Sequence, residues 1–310
     1  MFDPGRRVFC AGVAAAAVGT IAPFGGGRHA FAADRRIIER AIPASGETVP
    51  VIGMGTSGTF DVGAGADARA PLREVLQVFY DAGATLIDTS PMYGRAEAVT
   101  GDLVAELDRT EQTFFATKVW TTGREAGLEQ IETSMRLLQT PQLDLLQIHN
   151  LVDWRTHART LAQLADEGRI RYDGITHYTV PSHADLEAVL RERKFAFVQF
   201  NYSIVTRAAE ERLLPFCADQ GIAVLINRAF EDGALFAKVR GRPLPDWAAE
   251  IDCTSWAQVF LKFVVSHPAV TCVIPATSKA KHMRDNLQAG LGRLPDAELR
   301  ERMAADVAKL

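Results

Sequence analysis

The sequence predicts an α/β protein built as a (β/α)8 TIM barrel, with an N-terminal β-hairpin cap and an extra C-terminal helix. Three observations predict it. Apolar, β-branched runs alternate with helical patterns along the chain, the signature of a parallel sheet covered on both faces. Eight such strand–helix units follow one another, the number that closes a barrel in roughly 250 residues. The competing open, doubly wound sheet wants a glycine-rich loop leading straight into a helix. No helical pattern starts at the early cluster Gly53-Met54-Gly55-Thr56-Ser57-Gly58.

Taken in order, residues 37–42, a Pro-Ala-Ser-Gly-Glu turn and residues 49–56 read as a hairpin leading into the first strand. Further strands are expected at 85–88, 113–118, 143–149, 170–176, 195–200, 222–227 and 270–275. Helical patterns lie between them at 72–82, 96–107, 128–138, 159–167, 182–191, 208–220 and 255–265. The longest connection, 231–252, is rich in Gly and Pro. Loops of that length are usually functional, so it reads as a lid or pocket wall. Residues 33–310 thus form one predicted domain.

Residues 1–32 stand apart from it. Arg6-Arg7-Val8-Phe9 is followed by an uncharged apolar stretch, Cys10 to Phe24, and then by the small-x-small site Ala30-Phe31-Ala32. That is the order of an export signal, and the arginine pair resembles a Tat signal. It predicts passage through the Tat translocase, cleavage after Ala32, and a periplasmic or secreted protein. A disordered or amphipathic extension is the alternative. The apolar stretch of 15 residues is shorter than the ~20 a spanning helix needs, so stable membrane insertion is not expected. A formal net charge of −4 leaves no basic footprint for nucleic acid. Cys10, Cys217, Cys253 and Cys272 have neither zinc-ligand spacing nor the density of a disulfide framework. A monomer is the default expectation.

Function is read from the strand ends, because a barrel's active residues come from the carboxyl ends of its strands. The second strand ends at Asp88, the third at Lys118, and the fourth at His149 within Leu-Asp-Leu-Leu-Gln-Ile-His-Asn; the loop after Asp88 supplies Tyr93. Singly, each has an ordinary structural role. Together at one barrel mouth they form a proton-donating, oxyanion-stabilising set. A tyrosine hydroxyl, ordinarily near pH 10, is a poor acid at neutral pH, and a neighbouring ammonium is expected to lower its pKa. Such a set suits carbonyl reduction. A metal-dependent hydrolase would need His/Asp pairs at strand ends, for which His149, His177 and Asp88 are the nearest residues.

The order Asp88, Tyr93, Lys118, His149 resembles the catalytic tetrad of the aldo-keto reductase family. The five-residue step from Asp to Tyr and the contexts Phe-Ala-Thr-Lys and Leu-Leu-Gln-Ile-His are similar too, and the likeness covers residues 36–290. The resemblance implies an enzyme reducing an aldehyde or ketone with a nicotinamide cofactor, NADPH in preference to NADH. Tyr93 is then the general acid, Lys118 and Asp88 tune it, and His149 positions the carbonyl. By the same resemblance the cofactor contacts are Gly55, Thr56, Asp88, Thr176, His177, Gln199, Asn227, Phe230, Ala276, Thr277, Ser278, His282, Asp285 and Asn286. Here the chain departs from the family's pattern. His177 replaces an Asn, Ala276 a Lys, His282 an Arg and Asp285 a Glu, while Lys279, Lys281 or Arg284 is the candidate source of compensating charge. Met54, Phe60, Trp120 and Trp154 are the expected substrate-pocket walls; Trp247 and Trp256 are expected in the core. The other class of function is an exported nucleotide-binding accessory protein that kept the pocket with little turnover.

Overall fold

The computed structural model describes residues 36–310. The segment read as a Tat-type export signal lies outside the described residues. Two short antiparallel strands, β1 (Glu39–Ala41) and β2 (Thr48–Pro50), form the opening hairpin. Eight parallel strands follow: β3 (Met54–Gly55), β4 (Leu86–Asp88), β5 (Phe114–Val119), β6 (Leu143–His149), β7 (Ile170–Thr176), β8 (Phe197–Asn201), β9 (Ala223–Asn227) and β10 (Cys272–Val273). Each pairs with the next in chain order, and bridges from Ile52 to Val273 and from Gly55 to Ala276 join the last strand to the first. The sheet is therefore a barrel. Among the described residues no helix is long and apolar enough to cross a membrane.

Strand alternation sorts the core into two layers. Leu86, Phe114, Ala116, Leu145, Tyr172, Phe197, Leu225 and Cys272 point inward and fill the barrel, with Ile42 and Val49 of the hairpin among them. Their neighbours in each strand, such as Ile87, Phe115, Leu146 and Val198, point outward under the helices. The hairpin plugs the floor, where Tyr172 donates to Glu47 Oε2 at 2.6 Å. Arg40 of the hairpin donates to the carbonyl oxygens of Val265, His267 and Val270, satisfying the chain end of a distant helix.

The helices are α1 (Ala66–Asp81), α2 (Ala96–Glu106), α3 (Arg124–Leu138), α4 (Trp154–Asp166), α5 (His183–Glu192), α6 (Leu213–Gln220), α7 (Ala234–Lys238), α8 (Trp256–Val265), α9 (Ala280–Gln288) and the extra C-terminal α10 (Ala297–Ala308). Helix α1 begins before Pro71, where the sequence pattern starts it after; Pro71 therefore lies inside the helix and leaves one backbone bond of an exposed turn unmade. Gly101 lets α2 meet α3, since a Cβ there would lie 2.0 Å from Leu137 O. The connection at 231–252, read as a lid or pocket wall, is not an irregular loop. It holds α7 and a 3-10 turn at Asp246–Ile251, and Trp247 is buried with its Nε1 donating to Asp306 Oδ2 at 3.0 Å. Aromatic and aliphatic residues hidden among its glycines and prolines drive that packing.

Candidate active site

Inward-facing polar side chains collect at the carboxyl end of the barrel. Asp88 ends β4 and pairs in register with Gly55; Lys118 lies on β5 opposite Gln147 of β6; His149 ends β6 opposite Thr176, which pairs with Gln199 of β8. Lys118 is fully buried. Its Nζ donates to Asp88 Oδ2 at 2.6 Å and to Thr89 O at 2.6 Å, and sits 5.1 Å from the centre of the Tyr93 ring. Tyr93 comes from the turn between β4 and α2, held by its N–H on Ser90 O at 3.0 Å. His149 meets the Tyr93 ring edge-on at 6.1 Å. All four tetrad residues therefore converge.

The electrostatics assign protonation states. Burial works against the Lys118 ammonium, but Asp88 and Tyr93 facing it outweigh that and raise its pKa. Burial raises the Tyr93 pKa as well; Lys118 opposes this, and Asp88 adds to it. This reverses the expected direction, because desolvation of a half-buried phenolate exceeds the ammonium's attraction. Tyr93 is thus a protonated donor at neutral pH. Burial, then Lys118 and His177, push His149 down to about 3, so its imidazole is neutral.

A second row of amides completes the floor. Gln147 and Gln199 donate to Asp88 Oδ1 at 3.1 and 2.8 Å, and Gln199 also reaches Gln147 Oε1 at 3.2 Å. Asn227 Nδ2 donates to Gln199 Oε1 at 3.2 Å, while its buried Oδ1 has no partner. Gln147 was missed in the sequence, although it precedes His149 by two and so shares its face. Ser90, whose Oγ lies 3.2 Å from His149 Nδ1, was missed as well, and it follows Asp88 by two. Glu97 lies behind Lys118 and accepts from Thr117 at 2.6 Å; burial raises its carboxyl pKa.

The remaining expected contacts divide. Gly55 lies so close to Ile274 O that a Cβ would sit 2.8 Å from it, which keeps this stretch of the rim bare backbone. Thr56 is buried with its hydroxyl bonded to Asp88 O, so that group is already committed. His177 bonds Thr179 and Ser182 and stacks on Tyr178 at 5.4 Å. Arg228 reaches over Tyr178, donates to its carbonyl and pairs with Asp232, joining the loops after β7 and β9. Phe230 packs on Phe236 at 4.8 Å. Thr277 accepts from Lys279 N at 3.1 Å. Ser278 is half-buried; Ala276 and His282 are exposed, and Asn286 is buried. Asp285 is half-buried. It accepts from Ser255 and Gln258 at 2.8 and 2.6 Å, which ties α9 to α8.

Two of the four expected pocket walls are also corrected. Gly55 and Asp88 face inward, so Met54 faces outward and is fully buried under the helices, as is Phe60. Trp120 is exposed at the rim, 6.3 Å from the His149 ring, and Trp154 lines a cavity of about 370 Å³ together with Asn150, Leu151 and His177. Met92 is a further exposed apolar side chain beside Tyr93. Of the two tryptophans expected in the core, Trp247 is buried; Trp256 is half-buried, stacked on Phe260. Backbone strain gathers at the same end. Asn150, Leu151 and Asp153 after β6, and Arg228, Glu231 and Asp232 after β9, all have positive φ. Each such residue costs about 1–2 kcal/mol, and such residues cluster at functional loops. His149, His177 and Asp88 do not form a ligand set; among the described residues no group of His, Cys, Asp and Glu is placed to hold a metal ion.

The profile of the Aldo/keto reductase family matches residues 51–306. The chain belongs to this family. This aldo/keto reductase is 29% identical over 269 residues to the methylglyoxal reductase YeaE of Escherichia coli, covering 84% of this chain and 93% of that protein. It is 26% identical over 247 residues to an NADH-specific methylglyoxal reductase of the same organism, covering 67% and 73%. An aldo/keto reductase structure from Klebsiella pneumoniae in complex with NADP and acetate superposes with a TM-score of 0.70 at 25% identity, covering 84% of this chain and 93% of that one. Like its relatives, it is an oxidoreductase.

Proposed function

We propose that the protein reduces a small aldehyde or ketone with a nicotinamide cofactor, Tyr93 acting as general acid. The observation that carries this is a protonated Tyr93 set between a buried Lys118–Asp88 pair and a neutral His149. The donor set at the mouth fits the cofactor. The unpartnered Asn227 Oδ1 beside Gln199 is an acceptor suited to a carboxamide N–H. Asn227, Gln199, His177, Thr277 and Ser278 would hold it, and when bound it supplies the hydride. The exposed Lys279, Lys281 and Arg284 around the first turns of α9 favour a phosphate there, which supports NADPH over NADH.

The chain's own residues do the rest. His149 donates a hydrogen bond to the carbonyl oxygen and orients it. Tyr93 passes its proton to that oxygen as negative charge develops, and Lys118 steadies the phenolate left behind. Asp88 keeps Lys118 charged and in place, with Gln147 and Gln199 fixing the carboxylate. The exposed Met92 and Trp120 favour an apolar or aromatic carbonyl. The test is NADPH consumption at 340 nm with aromatic aldehydes and methylglyoxal. Tyr93→Phe should lose about 10²–10⁴-fold in kcat while still binding cofactor. Cofactor binding with no Tyr93-dependent turnover would reject the reading and point to a nucleotide-binding accessory protein. We further propose Tat export with cleavage after Ala32, a monomeric mature chain, and cofactor loaded before transport; Arg6-Arg7 and the Ala30-Phe31-Ala32 site support the export.

A further inference from the structure

We infer that Ser90 is a positioning residue that selects the tautomer of His149, holding the imidazole with its proton on Nε2. The inference rests on the proposed carbonyl reduction for its consequence, and on geometry for its substance. Ser90 is fully buried, two residues beyond Asp88 in the turn that delivers Tyr93. Its Oγ has two partners within reach: the Met92 amide at 3.4 Å and His149 Nδ1 at 3.2 Å. An amide N–H can only donate, so it takes a lone pair of the serine oxygen. A second lone pair of that oxygen could accept from an Nδ1–H, but the buried hydroxyl proton would then face no acceptor among the described residues; directed at a bare Nδ1, it satisfies both groups.

A neutral imidazole carries one proton, and with Nδ1 bare that proton resides on Nε2. The groups facing His149, namely Lys118, Tyr93 and His177, include no carboxylate that would hold a second proton on the ring, and burial keeps it neutral. Nε2 has no protein partner among the described residues, which leaves its N–H for a substrate carbonyl oxygen. The other tautomer would present a lone pair to that oxygen and repel it. Ser90 also accepts the Tyr93 N–H on its backbone carbonyl at 3.0 Å. One residue thus fixes both the proton donor and the group that aims the carbonyl at it.

The experiment is nitrogen NMR of the full chain labelled with [15N]histidine, the His149 signals assigned by their loss in His149→Asn. Wild type is expected to show one tautomer, protonated at Nε2. Ser90→Ala should give a mixture or the Nδ1-protonated form, and Ser90→Thr, which keeps the hydroxyl, should restore the wild-type pattern. In parallel, kcat should fall about tenfold in Ser90→Ala with little change in KM for NADPH, the effect of one neutral hydrogen bond acting on orientation, and Ser90→Thr should recover it. An Nδ1-protonated wild type, or an unchanged Nε2-protonated His149 in Ser90→Ala, overturns the inference. Absence of reductase turnover would instead reject the proposed function, and the NMR pattern would still decide the role of Ser90.

Discussion

Replacing Lys118 by methionine breaks the centre of the site from one side. Methionine keeps most of the volume and removes the charge, stranding Asp88, whose side chain is 3% exposed, and the Thr89 carbonyl. Breaking a buried ion pair in this way costs about 3–5 kcal/mol. The Gln147 and Gln199 amides on Oδ1 soften the loss, so about 3 kcal/mol is expected at pH 7, a melting temperature lower by roughly 6–12 °C. Urea unfolding at pH 7 reads this, and adding Asp88→Asn to Lys118→Met should recover most of the loss. A deficit below about 1 kcal/mol, or a double variant no more stable than the single, refutes the account.

Two further outcomes are expected. His149 titrates near 3 in the folded protein against an ordinary 6.5, so the folded state binds fewer protons between those values. Its contribution is therefore intact above about pH 6.5 and is lost as pH falls toward 3. Wild type should lose up to about 2 kcal/mol more than His149→Asn between pH 7 and 5 in denaturant unfolding, and equal losses would refute the assignment. Intact mass of the exported chain should begin at Ala33, and secreted material retaining Met1 would reject the signal cleavage.

The barrel was legible in the sequence because its strands are buried on both faces and so read as unbroken apolar runs. The tetrad was legible for a related reason: Asp88, Lys118 and His149 interrupt such runs at their ends, where burial of charge is costly unless partners wait. The Tyr93 pKa was misjudged because a one-dimensional reading weighs the ammonium and does not see the desolvation. Met54 and Phe60 were misassigned because only the register of Gly55 against Asp88 settles which way β3 faces.

Residue types and spacing by themselves determined the barrel, its cap, the family resemblance and the four residues at the mouth. The tertiary structure alone decided which polar groups are spent on one another: Asp285 on α8, Thr56 on the Asp88 carbonyl, and Trp247 on α10. It also decided that Ser90 reaches His149, across 59 positions of chain. The physical reason is that periodicity and charge are local properties of a chain. Burial and hydrogen-bond partnership depend on how distant strands register around a closed sheet.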